Sequence, residues 1–91
     1  MKYINKIEVQ GEVVKILVSK DDTVTIGVRI PTGNGTYSIH YCEMPTDKFN
    51  ESPFRTMSCV HVTGSLEYRH TGLRVAQAVI NVTDIKLVKD E

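Results

Sequence analysis

Apolar and polar residues alternate along most of the chain, which is the pattern of a β-strand with one buried face. The clearest case is residues 23–30, in which every second position is apolar: Val24, Ile26, Val28 and Ile30. Residues 7–13, 36–42 and 60–66 have similar patterns, and residues 73–88 form a long run rich in Val and Ile. The sequence therefore predicts five strands and an all-β protein.

The connections between these strands predict how they are arranged. A turn containing Pro and Gly at residues 31–35 joins the second and third strands into a hairpin, and residues 70–72 form another turn. The longer segment 45–57 contains two prolines, so it allows at most a short helix around residues 47–50. Five strands with one long connection between the third and fourth match a five-stranded Greek-key barrel.

Strand interiors and chain length add detail to this prediction. Gly11 and Gly64 lie within strand patterns, where a barrel requires tight coiling or a β-bulge. Residues 81–84 predict a bend in the last strand.

The 91 residues fit one domain, residues 1–91. We expect an open barrel that leaves the first strand with an unpaired edge.

Charge and targeting signals restrict the possible partners. Eleven Lys and Arg residues balance eleven Asp and Glu residues, so an anion site must come from local placement of charge. The opening residues MKYINK lack the apolar core of a secretory signal, and no apolar run has membrane-spanning length. The sequence therefore predicts a cytoplasmic protein without a membrane partner, in which Cys42 and Cys59 are free thiols.

Two clusters combine aromatic rings with cations, the features that bind the bases and phosphates of a nucleic-acid single strand. The first consists of Tyr37 and Tyr41 on the third strand, with Arg29 across the hairpin. The second is the window 68–74, which contains no acidic residue and has four candidate residues: Tyr68, Arg69, His70 and Arg74.

Each cluster also has a purely structural interpretation. Tyr37 and Tyr41 share the parity of Ile39, so all three could face the barrel interior. Bulges can switch the faces of a strand, and parity alone therefore does not decide between core and surface. The window 68–74 could equally be a solvated turn with no ligand.

Neither a metal site nor catalytic machinery is predicted. His40 with Cys42 and Cys59 with His61 could bind zinc only if the faces of two strands met, and no CxxC motif is present. Residues 32–35 lack the Lys and the following helix of a phosphate-binding loop. We find no nucleophile–base pair or paired-carboxylate motif, so the sequence predicts a protein that is not an enzyme and has no cofactor.

Three blocks resemble the bacterial single-stranded DNA-binding protein family. They are residues 5–11 (NKIEVQG), 59–66 (CVHVTGSL) and 78–87 (AVINVTDIKL), and they run from one end of the chain to the other. Residues 41–45 (YCEMP) are similar to the Trp-Cys-Gln-Met-Pro of the primosomal replication protein N branch. This branch also shares the Gly-Leu of residues 72–73 and the lack of a long helix after the third strand.

The resemblance implies an OB fold that binds single-stranded DNA without sequence preference, in replication, restart or recombination. It also implies a homodimer or homotetramer, with His40 near an inter-subunit histidine of the family. RNA remains open as a second ligand. Zero net charge and the absence of Trp favour an alternative, an OB-fold module that binds a protein and no nucleic acid.

Overall fold

The computed structural model describes residues 3–19, 21–51, 54–70 and 76–88, with the side chains of residues 69, 70 and 76 left out of the description. In chain order, the elements are β1 (Ile7–Val18), β2 (Thr23–Gly33), β3 (Thr36–Pro45), α1 (Thr46–Glu51), β4 (Cys59–His70) and β5 (Ala76–Leu87). The predicted all-β class is confirmed, and α1 lies where the sequence allowed a short helix.

The strands form a closed barrel in the order β1-β2-β3-β5-β4. Neighbouring strands are antiparallel except β3 and β5, which pair in parallel through Cys42 with Ile80 and Glu43 with Asn81. The insertion of β5 between β3 and β4 gives the predicted Greek-key barrel. Its closure is due to this short parallel contact.

The expectation of an open barrel is wrong, because the five strands close. The first half of β1 pairs with β4, from Ile7 opposite Gly64 to Glu12 opposite Cys59. The second half pairs with β2, from Glu12 opposite Arg29 to Val18 opposite Val24. β1 therefore joins the two sides of the barrel, and each half of the strand is paired along one edge.

Apolar side chains from all five strands fill the barrel interior. They alternate with outward-facing residues, as the sequence pattern predicted. Phe54, from the connection between α1 and β4, joins this core, and its ring meets Phe49 of α1 edge-to-face at 5.1 Å between centroids. The side chains with less than 2% exposure are Val13, Val24, Ile26, Val28, Cys42, Met44, Val60, Val62 and Ile80.

The two mid-strand glycines allow strands to cross closely. A Cβ atom on Gly11 would overlap the Arg29 carbonyl oxygen, and one on Gly64 would overlap the Asn81 carbonyl oxygen. The β4–β5 register shifts between Thr63 and Gly64, where the Thr83 hydroxyl donates to the Thr63 carbonyl oxygen at 3.0 Å. The bend predicted at residues 81–84 is therefore a β-bulge.

The β2–β3 hairpin is longer than predicted and its turn is tighter. Pro31 lies within β2 opposite Tyr37, so the proline does not begin the turn. The chain reverses at Gly33, Asn34 and Gly35, which have φ angles of 94°, 53° and 76°. These left-handed conformations suit Gly and Asn, and they allow the long hairpin to carry an extended outer face.

Candidate nucleic-acid interface

The aromatic residues of β3 lie on the outside of the barrel. Cys42 and Met44 point inward and are almost fully buried, whereas Tyr37 is 58% exposed and Ile39 is 40% exposed. Tyr41 has the same parity as these two residues and lies across from Gly27 of β2. The interpretation of Tyr37 and Tyr41 as core residues is therefore wrong.

Arg29 of β2 lies between the neighbouring strands at a well-defined position. Its backbone is paired with Ile39 of β3 on one side and Glu12 of β1 on the other. The guanidinium carbon lies over the Tyr37 ring, 5.7 Å from its centroid, and Nη2 donates to Glu12 Oε1 at 2.5 Å. Two members of the first predicted cluster, Arg29 and Tyr37, thus form a cation–π pair, and the carboxylate of Glu12 is bound to the same guanidinium.

Gly27 leaves room on this outer face for the side chains around it. A Cβ at Gly27 would lie 3.4 Å from Ile39 Cγ2, 3.4 Å from Lys15 Cβ and 3.6 Å from Tyr41 Cε1. The surface formed by Arg29, Tyr37, Ile39 and Tyr41 around Gly27 is called the β2–β3 platform below. It presents two aromatic rings and a guanidinium on rigid, paired strands.

Two residues beside the platform were not among the predicted site residues. Lys15 is paired with Gly27 of β2. Its side chain is exposed, because a register shift between Val13 and Lys15 turns it outward. Val79 of β5 is only 5% exposed but lies outside the interior core cluster. The pairing of Cys42 with Ile80 places Val79 next to Tyr41 on the outer face.

The second predicted cluster is described only in part. Tyr68 is 66% exposed and pairs with Ala78, while the backbones of Arg69 and His70 pair with Gln77 and Ala76. The side chains of Arg69 and His70 are outside the description, and Arg74 lies outside the described residues. Their role in binding stays a prediction.

The structure does not place Tyr68 on the same sheet face as Tyr41. Tyr68 has the parity of Leu66, which packs against the core, whereas Tyr41 faces outward. Tyr68 nevertheless remains exposed, because it lies beyond the end of the core. The two tyrosines therefore belong to separate surfaces of the barrel.

The two Cys–His pairs that suggested zinc do not share a face. Cys42 is buried inside the barrel, whereas Cys59 and His61 alternate with the inward-facing Val60 and Val62. His61 instead has its Nδ1 3.1 Å from Gln10 Oε1 on the outside of β1. Within residues 3–19, 21–51, 54–70 and 76–88, no group of three or more His, Cys, Asp or Glu side chains could hold a metal ion.

An acidic pocket adjoins the platform beyond Tyr41. It has a volume of about 380 Å³, and its lining includes Asp21, Asp22 and Glu43. Glu43 is the next outward-facing residue of β3 after Tyr41, so the two surfaces are contiguous. The acidic lining of this pocket contrasts with the aromatic and cationic surface of the platform.

Comparison with known proteins gives matches at the level of structure only. No family model matches the chain, and no curated protein matches it in sequence. The dimeric N-terminal domain of PriB from Thermoanaerobacter tencongensis is similar, with a TM-score of 0.74, 14% identity and coverage of 94% of this chain and 98% of that chain. The mitochondrial single-stranded DNA-binding protein Rim1 of S. cerevisiae has a TM-score of 0.74, 14% identity and coverage of 96% and 97%. A Plasmodium falciparum SSB, solved in complex with single-stranded DNA, has a TM-score of 0.70, 20% identity and coverage of 98% of both chains.

The chain has an OB fold. OB folds bind oligonucleotides on the face of their second and third strands, bordered by the loops that follow the first and fourth strands. The β2–β3 platform occupies that face of this chain. Among the described residues, no helix has the length and apolar character needed to cross a membrane.

Proposed function

We propose that the protein binds single-stranded DNA without sequence preference, through the β2–β3 platform, as an accessory to replication, restart or recombination. The observation that carries the proposal is the position of Arg29 over Tyr37 beside the outward-facing Tyr41, on the ligand-binding face of an OB fold. The proposed activity is binding and not catalysis, in the cytoplasm and with no cofactor.

Stacking on the platform explains why binding would be independent of sequence. Every base has a π-face, and each base stacked on an aromatic ring contributes about 1–3 kcal/mol. Tyr37 and Tyr41 are four residues apart on one strand face, so their rings offer successive positions along an extended ligand. This contact accepts ribose as well as deoxyribose, and RNA is therefore included among the ligands to be tested.

The β4–β5 hairpin provides the second part of the proposed interface. Tyr68, Arg69, His70 and Arg74 combine a ring with cations, and the exposure of the Tyr68 ring is compatible with contact to a ligand. The loop after the fourth strand borders the ligand face in OB folds. We propose that this hairpin contacts phosphates of a strand lying on the platform.

Two of the structural neighbours support this proposal at the level of the fold. One is a single-stranded DNA-binding protein and another was solved with single-stranded DNA bound. The resemblance of residues 41–45 to the primosomal replication protein N branch makes a role in the primosome the more specific version of the proposal. A fold supports many functions, so the decisive test is binding itself.

We also propose that the protein is a homodimer or homotetramer. Each half of β1 is paired along one edge, and the adjacent Tyr3 and Ile4 are 90% and 88% exposed. The similar PriB domain is dimeric. Analytical ultracentrifugation should show an oligomer, and a monomer at about tens of micromolar would contradict this part of the proposal.

The experiment that tests the proposed function is a titration of fluorescently labelled oligo-dT at several salt concentrations. Each phosphate neutralised on a single strand lowers the logarithm of affinity by about 0.7 per decade of salt. With few cations near the platform, we expect a shallow slope on the order of −2 to −4. Parallel titrations with oligo-dA, oligo-dC and oligo-U test whether the affinity depends on the base or on the sugar.

A protein-interaction module is the second candidate function. Leu17 and Ile39 are 50% and 40% exposed on the same outer face, and the net charge of the chain is zero. An apolar surface of this kind also suits a protein ligand. Absence of oligonucleotide binding at low salt, or an affinity that does not change with salt, would favour this candidate over the first.

A further inference from the structure

The carboxylate of Glu12 is the closest charged partner of the platform cation. Glu12 and Arg29 are directly opposite each other on β1 and β2, and both side chains are partly exposed, 31% and 40%. The contact between Oε1 and Nη2 is 2.5 Å. Glu12 therefore occupies one side of the same guanidinium that lies over the Tyr37 ring.

This arrangement restricts what Arg29 can do for a ligand. A guanidinium binds anions through the five N–H donors around its edge, and it stacks on rings through its plane. Glu12 accepts from one of these donors, at Nη2, and its charge neutralises the guanidinium, so a phosphate oxygen approaching this part of Arg29 would meet the negative charge of Glu12. The flat surface of the side chain does not compete with Glu12.

We propose that Glu12 is a positioning residue that makes Arg29 part of the stacking surface and prevents it from being a phosphate contact. This inference rests on the proposed function and makes it more specific. The platform would then select ligands by their exposed bases, with the Arg29 guanidinium and the Tyr37 ring acting together as a stacking surface. Phosphate contacts would come from other cations, such as the exposed Lys15.

The test replaces Glu12 by Gln, which keeps the size and the acceptor oxygen and removes only the charge. Glu8→Gln is the matched control, because Glu8 lies on the same strand and the same outer side but is near Lys6 Nζ at 3.7 Å and His61 Nε2 at 3.8 Å. Both variants change the net charge by the same amount. Thermal unfolding checks that both variants remain folded.

Two ligands separate stacking from phosphate contact. Parent, Glu12→Gln and Glu8→Gln are titrated with oligo-dT and with an abasic deoxyribose-phosphate oligomer of equal length, at several salt concentrations. We expect Glu12→Gln to bind both ligands more tightly at low salt, with a salt slope steeper by about 0.7, the value for one additional phosphate contact. Glu8→Gln should keep the parent slope. Equal slopes in Glu12→Gln and the parent, or equal changes in both variants, would overturn the inference.

A second measurement does not depend on DNA binding. The Nε–H resonance of Arg29 is followed by NMR while sodium pyrophosphate is added to parent and Glu12→Gln. The inference requires that this resonance shifts in the variant at pyrophosphate concentrations that leave the parent unchanged. If oligo-dT does not bind the parent, the proposed function fails, and the pyrophosphate titration still decides whether Glu12 blocks anion contact. Identical titrations in the two proteins would show that it does not.

Discussion

The two faces of β3 differ in composition, burial and the part they play in the molecule. On the inner face, Cys42 and Met44 are buried to 0% and 1% exposure in contact with the core. On the outer face, Tyr37 and Ile39 remain exposed, although their side chains are as large as many core residues. The exposed outer side chains therefore bury less apolar surface in the barrel than the inner ones do.

The difference shows how a single strand serves two purposes. Successive side chains of a strand point to opposite faces, so one face can be optimised for packing while the other is free to bind. The pairing of β3 with both β2 and β5 fixes the outer side chains on a rigid surface. Stability and binding should therefore respond to different substitutions within the same ten residues of β3.

The largest expected effect is on stability, from Met44→Ala on the inner face. Truncation of a buried Met to Ala costs about 2–5 kcal/mol through lost burial and the cavity left behind. Chemical denaturation should show this loss, while oligo-dT affinity of the folded variant stays near that of the parent. Ile39→Ala is the control on the outer face and should change stability much less. A similar loss in both variants would contradict the division between the faces.

The second prediction concerns binding by the outer face. Tyr37→Ala and Tyr41→Ala should each weaken oligo-dT binding by about 1–3 kcal/mol if a base stacks on each ring. Tyr37→Phe keeps the ring and should retain most of the affinity. The control is Tyr3→Ala, at a tyrosine that is 90% exposed outside the platform. Loss of binding in Tyr3→Ala alone would place the interface elsewhere.

The third prediction compares the platform with the β4–β5 hairpin. The triple variant Tyr68→Ala, Arg69→Ala and Arg74→Ala should weaken binding equally for all base compositions, because phosphate contacts carry no sequence information. Tyr68→Ala alone should cost on the order of 1–3 kcal/mol if its ring stacks on a base. Thermal stability should change little, since Tyr68 is exposed. Parent-like affinity in the triple variant would limit the interface to the platform.

The sequence predicted the strands well because alternation reports directly on burial. In β2 the apolar residues Val24, Ile26 and Val28 alternate with polar residues or Gly, and this alternation identifies the inner face. In β3 the sequence does not show which face is inside. Tyr37, Ile39 and Tyr41 are more apolar than the Ser38 and His40 that alternate with them, which makes the outer face look like a core face. Only the pairing with β2, and the burial of Cys42 and Met44 farther along, determine which side is inside.

The candidate site was less predictable because it depends on register between distant segments. Glu12 and Arg29 are 17 residues apart and meet only through the β1–β2 pairing. Lys15 points outward because of the register shift after Val13, and a single added residue of this kind has no signature in the hydrophobic pattern. Residue type thus predicted which side chains could bind, and long-range pairing decided which of them meet.

The smallest expected effect returns to the inner face of β3 and concerns alkaline pH. Burial raises the pKa of the Cys42 thiol from 9.0 to about 12, because the interior disfavours the thiolate. The unfolded chain therefore loses this proton at lower pH than the folded chain does. The stability that this shift contributes to the folded chain is fully present below pH 9 and is lost as pH rises toward 12, by about 1.4 kcal/mol per pH unit at most.

Urea unfolding between pH 8 and pH 10 measures this effect, and cysteine variants isolate it from other alkaline titrations. Cys42→Ala should show a shallower decline of the unfolding free energy than the parent, because it removes the buried thiol that ionises only in the unfolded chain. Cys59→Ala removes a partly exposed thiol and should decline as the parent does. If Cys42→Ala and Cys59→Ala declined in parallel, the thiol of the inner face would not be the group that distinguishes folded from unfolded chains in this range.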